Sequence, residues 1–176
     1  MSDTAASPAL SRRNLLKVGL LGSALLATAS LGGCSASTPA PGLLVIRTSD
    51  LPLLHALVPV MLAGAVDASG IERARDATIV GLDSGLAHLS PAMRDLTLQL
   101  FHVLSLPLTR GPLTGIWGAW ENASAEQVQH FLQRWQNSRV GLLQMGHAAL
   151  LQLVMMAWYG QAEAWRHCGY PGPPRV

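Results

Sequence analysis

From residue 50 onward, apolar positions return every three or four residues in separate runs, the spacing of one face of an α-helix. Asp50 precedes an apolar run from Leu51 to Ala63, with Pro52 tolerable in a first turn and Pro59 expected to kink or divide it. The next run, Ile71 to Leu89, puts Ile71, Ala74, Ile79, Leu82, Leu86 and Leu89 on one side. Ser90-Pro91 reads as an N-cap followed by proline at the first helical position. The helix it opens carries Met93, Leu96, Leu100, Phe101 and Leu104 until Pro107. "PLTRGPLTGIWGAW" (107–120) holds Pro, Gly and Thr too often for a long helix and predicts a short helical turn presenting Trp117 and Trp120. Ser124 and Gln127 fit a capping box that starts a helix with Val128, Phe131, Leu132 and Trp135 facing inward.

The last run, "SRVGLLQMGHAALLQLVMMAWY" (138–159), is apolar nearly all round. Its length suits a membrane span, but Arg139, Gln144, His147 and Gln152 are costly in lipid, so it predicts the buried central helix of a bundle. Past "LLVIR" at 43–47 the chain is poor in Val-Ile-Thr alternation and nothing reads as strand. The fold class expected is all-α, a single bundle of five or six helices with no internal repeat.

The N-terminal pattern is different. "SRRNLLKVGLLGSALLATASLGGC" (11–34) has a positive start, a modest apolar stretch broken by Gly, Ser and Thr, and small residues before a cysteine. That is the plan of a cleaved export signal rather than of a spanning helix, which wants roughly 20 strongly apolar residues. Arg12 and Arg13 resemble the pair of a twin-arginine leader, with Leu15 where Phe is commonest. "LGGC" at 31–34 resembles a bacterial lipobox, with Cys34 as the acylated residue. Such leaders are read by a translocase that carries folded proteins. The domain plan expected is therefore 1–33 signal, 34–48 lipidated cysteine and flexible tether, 49–166 helical domain, and 167–176 an extended Pro/Gly-rich tail.

Removing residues 1–33 takes away the single lysine and leaves nine Arg against nine Asp plus Glu, a formal charge near zero. A phosphate-binding chain needs a basic face, which argues against nucleic acid as a partner. Cys34 and Cys168 are the only cysteines, so an acylated Cys34 leaves no intramolecular disulfide.

The chemistry-bearing residues do not assemble into a catalytic pattern. There is no G-x-G-x-x-G after a strand, no C-x-x-C-H, no H-x-x-x-H and no G-x-S-x-G. His55, His88, His102, His130, His147 and His167 stand singly, and His147 with Gln144 reads as a hydrogen-bonded core pair. The expectation is no catalytic, cofactor-binding or metal residue in this chain.

The aromatic residues point to binding instead. All five Trp lie between 117 and 165, and the chain finishes "WYGQAEAWRHCGYPGPPRV". Trp, Tyr and Arg are the types enriched at interface hot spots. The candidate partner interface is accordingly Trp158, Tyr159, Trp165, Tyr170, Pro171, Pro173 and Pro174, with the proline run as a prestiffened strap. "LPLTRGPLTGIW", "FLQRWQNSR" and "WYGQAEAWRHCGYPGPP", together with the leader, resemble the small exported subunits of FAD-dependent dehydrogenases of the glucose–methanol–choline family, such as those of gluconate 2-dehydrogenase and sorbitol dehydrogenase. The resemblance implies a non-catalytic subunit whose FAD-bearing partner rides out on its leader; the lipobox implies lipid anchoring on the periplasmic side, and Ser35 directly after Cys34 slightly favours the outer membrane. It assigns no catalytic residue here, and Cys168 is a departure from its tail motif. The other readings are a structural cell-envelope lipoprotein without such a partner, and a helical binder of haem or a metal.

Replacing Arg12 and Arg13 by lysine should leave the precursor in the cytoplasm, and Cys34→Ser should abolish labelling with radioactive fatty acid. Cell fractionation reads the first outcome; continued export of the Arg12→Lys, Arg13→Lys chain would refute the leader assignment.

Overall fold

The computed structural model describes residues 38–167 and 169–172, the side chains of Arg166 and His167 excepted. Arg12, Arg13, Cys34, Cys168, Pro173 and Pro174 lie outside the described residues. Among those described there are seven α-helices and no strand, an all-α fold with one or two more helices than the pattern predicts. They are α1 (Leu51–Met61), α2 (Ile71–Ala87), α3 (Pro91–Ser105), α4 (Pro107–Thr114), α5 (Ala125–Gln136), α6 (Gly141–Tyr159) and α7 (Ala162–His167).

The segment expected to be a tether is docked from Thr38 onward. Ala40 N–H donates to the Ile46 carbonyl (2.8 Å), Leu43 N–H to that of Ala40 (2.9 Å), and Gly42 takes a positive φ of 81° between them. Ala40 and Ile46 are buried. The buried carboxylate of Asp83, on α2, accepts three consecutive backbone donors: Leu44 N–H at 2.7 Å, Val45 N–H at 2.9 Å and Ile46 N–H at 2.8 Å. Extended backbone without a neighbouring strand has no ladder to satisfy its donors, and one side chain does that work here. A second carboxylate, Asp50, is wholly buried and pairs with Arg47 through Nε (2.8 Å) and Nη2 (3.0 Å). Arg47 Nη2 also donates to the Leu98 carbonyl on α3 (2.9 Å), so this segment (38–47, an N-terminal strap) is clamped to two helices.

α1 occupies the centre, with Leu53, Leu54, Leu57 and Val58 buried, and runs unbroken through Pro59 to end two residues later. α2 buries Ala74, Thr78, Ile79, Leu82, Asp83 and Leu86, close to the predicted face. Leu89 lies beyond the helix and is exposed. The face of α3 differs: Thr97, Phe101 and Leu104 are buried, whereas Met93 and Leu96 are exposed. Phe101 and Leu104 of the apolar row are thus inside and Leu100 is half-buried, while Met93 and Leu96, nearer the start of the helix, stay in solvent.

The "short turn" at 107–120 is a two-turn helix, α4, closed by Gly115 at φ 80°. Trp120 is buried and its Nε1 donates to the Leu104 carbonyl (2.9 Å). The capping box of α5 forms as expected: Ser124 Oγ accepts from Gln127 N–H (3.3 Å) and Gln127 Oε1 from Ser124 N–H (2.9 Å). Val128, Phe131, Leu132 and Trp135 are buried on α5, with Phe131 edge-on to Trp120 and Trp135.

α6 is not the buried central helix. Of its 19 residues only Leu150, Val154, Ala157 and Trp158 are buried. α2 and α5 are its main neighbours and cover one stripe. The close approach needs glycine on both contacts. A Cβ at Gly146 would sit 2.5 Å from the Trp135 ring, and one at Gly81 would sit 3.2 Å from the Ala157 carbonyl. Gln144 does not pair with His147; its Nε2 donates to the Ser138 carbonyl (2.8 Å).

Removing the Asp83 carboxylate strands three backbone donors, each worth about 1 kcal/mol or more. Asp83→Ala should therefore lower stability by about 3 kcal/mol. Asp83→Asn, which keeps one acceptor oxygen, should lower it less. Urea denaturation followed by circular dichroism measures both.

Candidate interaction surface

The residues that matter for binding are those the fold leaves uncovered. Along α6, Leu142, Met145, Ala149, Gln152, Met156 and Tyr159 recur at three- and four-residue spacing and are all exposed, joined by Leu151. Leu142 is 73% exposed, Met145 69% and Met156 67%. No Asp, Glu, Lys or Arg lies on α6. A helix apolar on all sides arises where both faces are to be covered, and the domain covers one. The helix is also long and apolar enough, by length and composition, to cross a membrane.

Beside this row lies a groove of about 180 Å³ between α2 and α6, lined by Gly81, Leu82, Gly85, Leu86, Leu89, Leu153, Met156 and Ala157. Gly85 has no atom within 4 Å of where a side chain would project, so its missing Cβ widens the groove. Past Gly81 charged and polar side chains enter the surface, Glu72, Arg73, Asp76 and Gln161, interspersed with Ala77 and the exposed Val80. The hydrogen bond from Arg75 Nε to Asp76 (2.7 Å) holds that carboxyl below its ordinary range. An apolar patch with a polar rim is the usual anatomy of a protein-binding surface.

The C-terminal aromatics divide. Trp158 is 1% exposed and belongs to the core, so its assignment to a partner interface is corrected. Tyr159 is exposed and stays available. Trp165 packs partly against the core, and its Nε1 donates to the Tyr159 carbonyl (2.9 Å). Tyr170 and Pro171 are exposed, and the described part of the segment, 169–172, lies against Trp165. The helix continues to His167, Gly169 takes a φ of 68°, and Tyr170 N–H donates to the Trp165 carbonyl (3.0 Å). The Tyr170 ring then meets Trp165 edge-on at 5.7 Å. The tail folds back because Trp165 offers a ring face and a carbonyl together. Tyr159, Trp165 and Tyr170 are thus brought to one end of α6, and Trp158 is turned away from it.

Sequence reasoning missed the outer row of α6 because an apolar residue looks the same on a covered and an uncovered face. Among the described residues no group of three His, Cys, Asp or Glu side chains is placed to hold a metal ion. No protein-family model matches the chain, and no curated protein or solved structure is significantly similar to it.

The two adjacent aromatics should separate cleanly on mutation. Trp158→Ala should destabilise the domain by roughly 3–5 kcal/mol, the cost of a large core truncation. Tyr159→Ala should change stability by no more than about 0.5 kcal/mol. Thermal and urea unfolding of the two variants decides the assignment.

Proposed function

We propose that this chain is a non-catalytic, exported lipoprotein subunit that carries a folded FAD-dependent alcohol or sugar dehydrogenase across the inner membrane and anchors it. The observation that carries this reading is the uncovered, uncharged outer face of α6 with its groove and polar rim. A domain that held no partner would leave this apolar surface in water at a cost of roughly 25 cal/mol per Å². Methionine is frequent on it, and its flexible thioether adapts to a partner's relief. The leader at 11–34 and the tail phrase at 158–174 support the remainder: they resemble the small subunits of such dehydrogenases, whose flavin subunit depends on the small subunit's leader. In this scheme FAD resides in the partner, the translocase reads Arg12 and Arg13, and Cys34 supplies the lipid.

A structural envelope lipoprotein is the competing reading, and what the tagged chain brings with it separates the two. Co-expressed with the flavin-dependent dehydrogenase subunit, the parent chain should recover flavin absorbance in membrane fractions. The Met145→Glu, Met156→Glu double variant should remain helical and recover about tenfold less flavin or lower still. A parent chain that recovers none, yet labels with fatty acid, would be the structural lipoprotein.

A further inference from the structure

A groove of about 360 Å³ lies between the end of α1 and α5, and it shares no residue with the α2–α6 groove. Pro59, Val60 and Ala63 line one wall, and Leu132 adds to the apolar lining. Gln129, Gln133 and Gln136 line the other wall from three successive turns of α5. The capping box at Ser124 fixes where α5 starts, and burial of Val128, Phe131, Leu132 and Trp135 fixes its rotation. Together they set the three glutamines in one exposed row. No charged side chain lines the groove.

Glutamines elsewhere use their side chains inside the protein. Gln127 accepts from Ser124 N–H (2.9 Å), Gln144 donates to the Ser138 carbonyl (2.8 Å) and Gln161 to the Ala157 carbonyl (3.2 Å). Among the described residues no hydrogen bond engages the side-chain amide of Gln129, Gln133 or Gln136. Each of these amides carries one acceptor oxygen and two N–H donors. The helical rise sets successive members of the row about 6 Å and about 4.5 Å apart. The facing wall is of the opposite kind. Pro59 stands inside α1, where proline is ordinarily disfavoured, and with Val60 and Ala63 it offers only C–H groups from its side chains.

We propose that this groove binds a neutral saccharide of one or two rings, its hydroxyls meeting the three carboxamides and its C–H face resting on Pro59 and Val60. The volume falls in the range of small-molecule sites, which combine an apolar lining with a few polar groups. A hydroxyl donates and accepts, as a carboxamide does, so neighbouring hydroxyls can be matched in pairs along the row. A purely apolar ligand would strip water from the amides and return no hydrogen bond. An acidic or phosphorylated ligand would find no counter-charge in the lining. The proposal draws on neither the leader, the α6 surface nor the flavin partner, and stands or falls apart from the accessory function.

The test uses the purified full chain in a zwitterionic detergent that carries no sugar headgroup. D-glucose, maltose and, as the competing neutral ligand, tetra-alanine are titrated by calorimetry and by saturation-transfer NMR. Glucose or maltose should bind with an affinity unchanged by added salt, since no charge pair is involved. Gln129→Leu and Gln133→Leu should each weaken that binding about tenfold. Ala63→Trp fills the groove and should abolish it. All three substitutions fall at exposed positions, so the melting temperature should stay with the parent's and a loss of binding reports the site rather than the fold. The proposal fails if neither sugar binds, if the three variants bind as the parent does, or if tetra-alanine binds and the sugars do not.

Discussion

The carboxylate of Asp83 is the point on which the strap's docking depends. Three successive amides from Leu44 to Ile46 converge on it, and no strand stands by to receive them. Without that acceptor the strap would keep its amides in water, and Ile46 and Ala40 would leave the core. The Arg47–Asp50 pair, 2.8 Å apart, finishes the clamp by tying the strap to the Leu98 carbonyl. Both carboxylates are buried and fully engaged, the condition under which buried charge is tolerated. Their role is architectural: they hold irregular backbone against α2 and α3 where regular structure is missing.

α6 packs mainly on α2 and α5, with lesser contacts to α1 and α7. Glycines at 81 and 146 draw it close to both neighbours, and its opposite side is left bare. The apolar content of α6 therefore serves two surfaces, one internal and one outward. Arg110 follows the same logic in a polar group: its surroundings complete the burial but not the charge. An uncovered apolar row and, among the described residues, a buried arginine without a carboxylate partner are what this small domain leaves unsatisfied.

Much of the fold was legible because the relevant signals are local. The Ser124–Gln127 capping box, the Ser90-Pro91 start and the buried face of α5 follow from spacing and hydrogen-bond chemistry within a turn or two. The errors came where tertiary contacts decide. In the first half of α3, Met93 and Leu96 are apolar yet exposed, while Phe101 and Leu104 of the same row are buried. α4 formed from a Pro- and Gly-rich stretch because Pro107 stands at its first position and Gly111 is bound under Trp117. The strap looked like a loose linker because its acceptor lies some forty residues away. Trp158 and Tyr159 are neighbours in sequence but fall on opposite sides of the α6 boundary between core and solvent, and composition cannot divide them. Arg110 stands in a phrase already singled out, but burial without a counter-ion is visible only in three dimensions.

The convergence on Asp83 also has a mechanical side. A pull applied through the N-terminal end of the strap is not borne by a ladder that opens one rung at a time. Three bonds ending on two oxygens of one side chain share the load and must yield together, and the Arg47–Asp50 fork stands behind them in series. From Thr38 onward the strap is thus joined to the helices largely through one side chain, whose three bonds act as a unit.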